Sequence, residues 1–263
     1  MKTRYLLLLI PFIGSCGMPG GKGGYVPKDD TIRFVTDSIC MDLTGISNYQ
    51  IGKTTYRQVL NDKKYKDCTS SYERKSSFKF SNWISGFGVF DRNEEKVAWI
   101  DKNAKEIKSL VTSSFKIDDL EFIDFDFAFL NDTLVAVYFR PNNLNLSSEY
   151  NLKKHFQNKY GTGSWKKYSK QGNVKYGDTK YTESVDFEEI LWKGNNVILK
   201  FYDSSRFVYD KDYKYFDMAS YSSEYFIVYS IDRYPEFINR LKDASKAYDD
   251  QEKAKKEATL NSL

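Results

Sequence analysis

Two clusters of carboxylates are the first places to look for chemistry. Asp118, Asp119, Glu121, Asp124 and Asp126 crowd one stretch, and Glu183, Asp186, Glu188 and Glu189 crowd another. Two acids about 5–10 Å apart across a cleft can hydrolyse a glycoside. Oxygen ligands on one strand face can also hold Ca²⁺, but the spacing of an EF-hand loop is absent. Acidic strands produce such pairs by accident, so a solvated face is the favoured reading of both clusters. The single histidine, His155, follows Lys153 and Lys154. Their charge makes it a poor cation ligand, and histidine-based zinc sites and Ser–His–Asp machinery would both need it. No Gly-x-Ser-x-Gly turn is present. Gly52-Lys53-Thr54 matches only the end of a phosphate-binding loop, and Ser47 stands where its first glycine is required. The expectation is a protein that is not an enzyme, with no catalytic residue, no metal and no cofactor.

Binding is the other chemistry on offer. Residues 151–180 hold eight lysines and one acid, Asp178, with Trp165, Tyr168 and Tyr176 interleaved. Lys153, Lys154, Trp165, Lys166, Lys167 and Tyr168 are the candidate binding residues, for anionic lipid, glycan or an acidic partner. The competing reading, and the favoured one, is that these lysines guard an exposed or edge strand against edge-to-edge association. Tyr209, Tyr213, Tyr215, Tyr221, Tyr225 and Tyr229 crowd the last strands. They could stack on sugars or partner side chains, although Tyr is also simply a good strand residue.

These residues must be positioned by a mainly β framework. Thr55 with Gln58 is a capping-box pattern, and Tyr56, Val59 and Leu60 share one face of a helix running to about Tyr65. A second helix follows Ser147-Ser148, burying Leu152, Phe156 and Tyr160 and stopping at Gly161. Phe125, Phe127 and Phe129 alternate with Asp124, Asp126 and Ala128. Asn131-Asp132 turns the chain, and Val135, Val137 and Phe139 alternate back to Pro141. That pattern predicts a hairpin with one wet and one buried face. Val185 to Trp192, a Lys193-Gly194-Asn195-Asn196 turn, and Val197, Leu199 and Phe201 predict another. Further strands are expected around Phe78–Phe90, Lys96–Ile100 and Tyr225–Tyr229. Pro235 opens a last helix, with Phe237, Leu241, Ala244 and Tyr248 on one stripe and a solvated tail beyond. The fold class is α+β. It comprises two degenerate units, 41–141 and 142–231, each a short helix packed on an antiparallel meander, and a C-terminal helix over 232–263.

The N-terminus carries an address. Lys2 and Arg4 precede a short apolar run from Tyr5 to Ile13, the pattern of an export signal over residues 1–15. The run is too short to span a bilayer. Ile13-Gly14-Ser15-Cys16 resembles the lipobox of bacterial lipoproteins. That resemblance implies acylation of the Cys16 thiol and cleavage before it, which anchors the protein permanently to membrane. Gly17 is not the acidic residue that resembles an inner-membrane retention signal, so the expected location is the outer membrane. The glycine-rich stretch after Cys16 reads as a flexible tether over 16–30. Removing residues 1–15 leaves 248 residues, and the loss of Lys2 and Arg4 takes the net charge from +4 to near +2. That value implies no polyanion, and an exported chain is not expected to meet nucleic acid. Cys40 and Cys68 remain, and an oxidising compartment favours a disulfide between them.

The lipobox, the tether, the Ile51-Gly52-Lys53-Thr54-Thr55 lead-in to a short helix, and the meander that follows together resemble tandem β-lactamase-inhibitor-protein-like units. They are also similar to small outer-membrane-assembly lipoproteins. The resemblance implies binding or assembly work with an envelope protein, without catalysis, and it transfers no functional residue. Its alternatives are a carboxylate-based glycan hydrolase, which needs two acids facing across a cleft, and a non-catalytic glycan binder, which needs coplanar exposed rings on the Tyr-rich strands.

Overall fold

The computed structural model describes residues 26–27, 31–68, 80, 83, 94–117, 120–141, 152–176, 179–209 and 221–260. The export signal, Cys16, Asp118, Asp119, Tyr213, Tyr215 and nearly all of the strand expected over Phe78–Phe90 lie outside the described residues. So do the side chains of Glu121, Asp124, Tyr176, Glu183, Tyr209 and Tyr221. In chain order the elements are β1 (Val26–Pro27), β2 (Ile32–Phe34), β3 (Gly45–Ile46), β4 (Tyr49–Gln50), α1 (Tyr56–Asn61), α2 (Lys63–Cys68), α3 (Glu94–Asn103), β5 (Ile107–Ile117), β6 (Leu120–Leu130), β7 (Thr133–Pro141), α4 (Leu152–Tyr160), β8 (Ser164–Tyr176), β9 (Thr179–Lys193), β10 (Val197–Tyr209), β11 (Tyr221–Ser230) and α5 (Arg233–Leu260).

The fold is α+β: a large antiparallel sheet, helices packed on it, and a C-terminal helix. Among the described residues nine strands form this sheet, in the order β1-β8-β9-β10-β11-β7-β6-β5, with β2 also paired to β8. Two sequential meanders, β5-β6-β7 and β8-β9-β10-β11, meet where β11 pairs with β7, from Phe226↔Phe139 to Tyr229↔Ala136. Val26–Pro27, inside the stretch read as tether, pairs with Lys170 and Gln171 of β8.

Local sequence explains most elements. Thr55 caps α1: its Oγ1 accepts from the Gln58 N–H, and the Gln58 side chain accepts from the Thr55 N–H at 2.7 Å. The helix breaks at Asp62, whose backbone is extended, so the single helix expected to Tyr65 is two short ones. Replacing Thr55 by Ala should cost about 1 kcal/mol of stability through the lost cap, measurable as a lower urea midpoint at unchanged slope. Asn131 and Asp132 both adopt positive φ, 49° and 64°. These are the signs of a type I′ turn, whose twist suits a tight hairpin. Gly161, at φ 83°, ends α4 as expected.

Two expectations are corrected. Lys96–Ile100 is not a strand: it lies inside helix α3, where Val97 and Ile100 fall on one face at i and i+3, with Ala104 just past the helix end continuing it at i+7, and all three are buried. Val97 and Trp99 also alternate over five residues, and so short a window cannot tell the two periods apart. The Asn131-Asp132 hairpin, moreover, has no wet face from Phe125 to Leu130, where every side chain is buried. One face packs against Leu43, Ile46, Tyr49, Val59, Tyr65 and Phe156, from β3, β4, α1, α2, α4 and nearby loops. The other packs against Val97 and Ile100 of α3 and Phe237 and Leu241 of α5. Helices therefore cover both sides of the sheet there. A bulge redistributes β7: Ala128 opposes Ala136 but Phe129 opposes Leu134. The extra residue, Val135, joins Ala136 on the α3–α5 side, while Leu134 takes the place expected for it beside Phe129.

Candidate functional site

Strand alternation decides where the candidate binding residues go. Residues directly opposite on antiparallel strands share a face. Trp165 opposes Ile190 and Lys167 opposes Glu188, so both project to the face that α4 covers. Lys166 opposes Glu189 and Tyr168 opposes Phe187, so both project to the other face. Lys153 and Lys154 come from α4. The six residues therefore divide: Lys153, Trp165 and Lys167 stand on the α4 side, and Lys166 and Tyr168 stand behind the sheet. Lys154 is exposed on the helix. The charge-rich stretch is thus two surfaces, which a composition count cannot separate.

On the α4 side a charged row crosses four strands. Lys167 of β8 opposes Glu188 of β9, Glu188 opposes Asp203 of β10, and Asp203 opposes Glu224 of β11. Lys153 reaches down from α4 and donates to both Glu188 oxygens, at 2.6 and 2.7 Å. Lys167 lies 3.4 Å from the same carboxylate. The Glu188 side chain is 18% exposed and that of Lys153 23%, so this pair is only partly screened by water. Burial pushes the Glu224 carboxyl up; neighbouring Asp203 and Glu188 push the same way, while Lys153 opposes them. Asp203 and Glu224 were not singled out from sequence. The signal that could have found them is the 193–198 turn, which fixes the register and sets Asp203 beside Glu188.

The row meets only part of what a glycosidase requires. Its acids stand side by side on one face, whereas hydrolysis needs two acids flanking the scissile bond. Of the second acidic cluster's described side chains, Asp186 and Glu188 share the α4 face and Glu189 lies on the reverse. Lys200 lies 3.1 Å from Glu189, and Tyr168 donates to it at 2.9 Å. Asp186 accepts from Ser169 at 2.6 Å. In the first cluster Asp126 is fully buried and accepts from Ser109 at 2.6 Å, in the core rather than in a cleft. Among the described residues no group of three or more His, Cys, Asp and Glu side chains is placed to hold a metal.

Behind the sheet, aromatic rings stack across consecutive strands. Tyr168 stacks on Phe187 at 4.8 Å and 13°, and Tyr202 on Tyr225 at 4.8 Å and 29°. Phe187 and Tyr202 connect these pairs at 6.0 Å, and Tyr225 continues to Tyr138 at 5.2 Å. Rings that lie face to face against each other offer edges outward, whereas a sugar platform needs open ring faces. Lys166 takes up more of this surface, 4.2 Å from the Tyr168 centroid. Burial, reinforced by Glu189, holds the Tyr168 phenol far above its ordinary value. Burial likewise pushes Tyr229 up to about 12. These phenols stay protonated at physiological pH and supply no base.

The remaining candidates are structural. His155 is exposed on α4, with its ring 5.4 Å from that of Phe156. The expected Cys40–Cys68 bridge is not formed, because Cys40 is a free thiol. Its Sγ donates to the Tyr160 carbonyl at 3.3 Å and its N–H to Lys193 O at 2.7 Å, fixing it at the β9 end of the sheet. Cys68 closes α2, a helix whose Tyr65 hydroxyl donates to Val111 of β5. β5 and β9 are five places apart in the sheet order. At about 4.8 Å per strand that separation exceeds the roughly 7 Å Cα limit of a disulfide. Burial also raises the Cys40 thiol above its usual value.

No family model, no curated protein and no solved structure matches the chain. No helix among the described residues is long and apolar enough to cross a membrane.

Proposed function

We propose that this chain is a lipid-anchored, non-catalytic binding or assembly module of the bacterial cell envelope, held at the outer membrane through Cys16. The observation that carries the reading is the Ile13-Gly14-Ser15-Cys16 lipobox behind a positively charged, short apolar leader. The side-chain arrangement is in keeping with it. The described carboxylates of the second acidic cluster are held by lysines or hydroxyls, and the phenols behind the sheet stay protonated. The resemblance to β-lactamase-inhibitor-protein-like units and small assembly lipoproteins points to the same kind of work, with an envelope protein as the partner. A carboxylate hydrolase is the second reading. It is favoured by one observation, the raised Glu224 carboxyl beside Asp203.

Two measurements test the reading. Intact mass of the mature chain should show acylated Cys16 as its first residue, and capture from detergent-solubilised envelope should bring down a partner in fixed stoichiometry. An unmodified Cys16 would overturn the anchor, and no partner together with cleavage of a glycan panel that Glu224→Gln abolishes would replace the binding reading with the second.

A further inference from the structure

We propose that segment 32–41, together with the β8 edge against which it lies, is a docking surface for an anionic lipid bilayer. Among the described residues seven large hydrophobic side chains are exposed, and five of them fall in this one segment: Ile32, Phe34, Val35, Ile39 and Met41. Isolated exposed apolar residues need no explanation, but a cluster does. The segment is not a loose tail. β2 pairs with β8 from Ile32↔Lys167 to Phe34↔Trp165. The Thr36 N–H donates to the Ser164 hydroxyl at 3.0 Å, and that hydroxyl donates to the Thr36 carbonyl at 3.2 Å. Ile39 bridges to Lys193, and the Cys40 N–H donates to the Lys193 carbonyl. The backbone is thus fixed while Val35 and Met41 stay 71% and 68% exposed.

Two features select lipid as the occupant. Bases line this edge of the sheet. Arg33 and its direct cross-strand partner Lys166 stand on the face opposite Ile32 and Phe34 of the same edge, Lys193 is bridged to Ile39, and Lys159 precedes the Tyr160 carbonyl that Cys40 contacts. All four are exposed. Asp37 and Asp42 are the only acids between residues 32 and 42. Apolar side chains flanked by bases fit the boundary between acyl chains and anionic headgroups. Phe34, stacked on half-buried Trp165 at 6.5 Å, adds the aromatic character typical of that boundary. The second feature is reach, and it rests on the lipid-anchor reading above. Val26 already pairs with the same β8 edge, so about 10 residues separate Cys16 from the folded body, a span of at most about 35 Å when fully extended. An anchored chain cannot carry this surface far from the membrane.

The test uses the mature chain from residue 16 with Cys16→Ser, so that no acyl chain masks the contribution of the surface. It should co-sediment with vesicles of mixed phosphatidylglycerol and phosphatidylcholine, and much less with phosphatidylcholine alone. Val35→Asp combined with Met41→Asp should weaken binding about tenfold or more. Arg33→Glu with Lys166→Glu should weaken it about fivefold or more per base and remove most of its salt dependence. Leu260→Asp, an equally exposed apolar site on α5, should bind as the parent does. The charge-reversed pair keeps the test informative should the aspartate pair fail to fold. Binding indifferent to both pairs would overturn the proposal. So would a dimer that the aspartate pair splits while vesicles bind neither form, because the occupant would then be a second copy. Acylation of Cys16, read separately by mass, tells failure of the anchor from failure of this surface.

Discussion

Replacing Phe139 by alanine should destabilise the protein by about 3–5 kcal/mol, the usual cost of emptying a fully buried phenylalanine site. Its ring lies 5.3 Å from that of Phe226 and nearly parallel to it, at 5°. Phe125 stacks on it at 5.6 Å and Phe156 approaches to 6.2 Å. Phe139 and Phe226 are also direct partners in the ladder that joins the two meanders. The cavity therefore opens at the junction of the sheet, where neighbours on β6, β11 and α4 would all have to move to fill it. Urea denaturation followed by circular dichroism measures the effect. Phe139→Leu should recover more than half of the loss, and Leu60→Ala, on the half-open face of α1, should stay within about 0.5 kcal/mol. A loss below about 1 kcal/mol for Phe139→Ala would mean that the two meanders do not depend on this contact.

Removing Lys153 should have the next largest effect, a loss of about 1–3 kcal/mol at neutral pH. It leaves a mostly buried Glu188 without the ammonium that bonds both of its oxygens. Lys167, more exposed and at 3.4 Å, compensates only in part. Glu188→Gln in the Lys153→Ala background should restore a substantial share, since the stranded charge is what costs most. The same row has a signature in pH. Burial, with Asp203 beside it, raises the folded-state value of Glu224 above the unfolded one. Its contribution to stability is therefore fully present below the ordinary glutamate range and is lost as pH rises through the raised value. Glu224→Gln should then stabilise the protein at neutral pH, by about 0.5 kcal/mol for relief of a like-charge cross-strand pair. Below about pH 4 it should change little, because both side chains are neutral there. Denaturation midpoints at the two pH values decide it, and a Glu224→Gln gain equal at both would remove the titration account.

Short-range features were the legible ones. The Thr55–Gln58 cap, the Leu152–Phe156–Tyr160 stripe with its Gly161 stop, and the Asn131-Asp132 turn each depend on residues within a few positions of one another. Turn and cap chemistry is local, so sequence states it directly. The bulge at Val135 was not legible, because an extra residue in one strand is set by what packs on it from α3 and α5. Nor was the pairing of β11 with β7: apolar periodicity says which face a strand buries but not which strand lies beside it. The candidate binding residues suffered from the opposite difficulty. Six nearby basic and aromatic residues look like one patch when counted, and the two-residue period of β8 sends Lys166 and Tyr168 away from Trp165 and Lys167. The exposed apolar segment 32–41 carries no periodic signal and became visible only once its neighbours were placed.

The place of β11 has a consequence for how the molecule comes into being. Synthesis runs from the N-terminus, yet the strand that closes the middle of the sheet is the last one made. Until Tyr221–Ser230 has emerged, β7 and β10 each present a bare row of backbone donors and acceptors, and both invite the wrong partner. The chain must therefore wait for β11 before its two halves can lock. Truncations anywhere between residues 209 and 221 should yield aggregates, not a smaller domain.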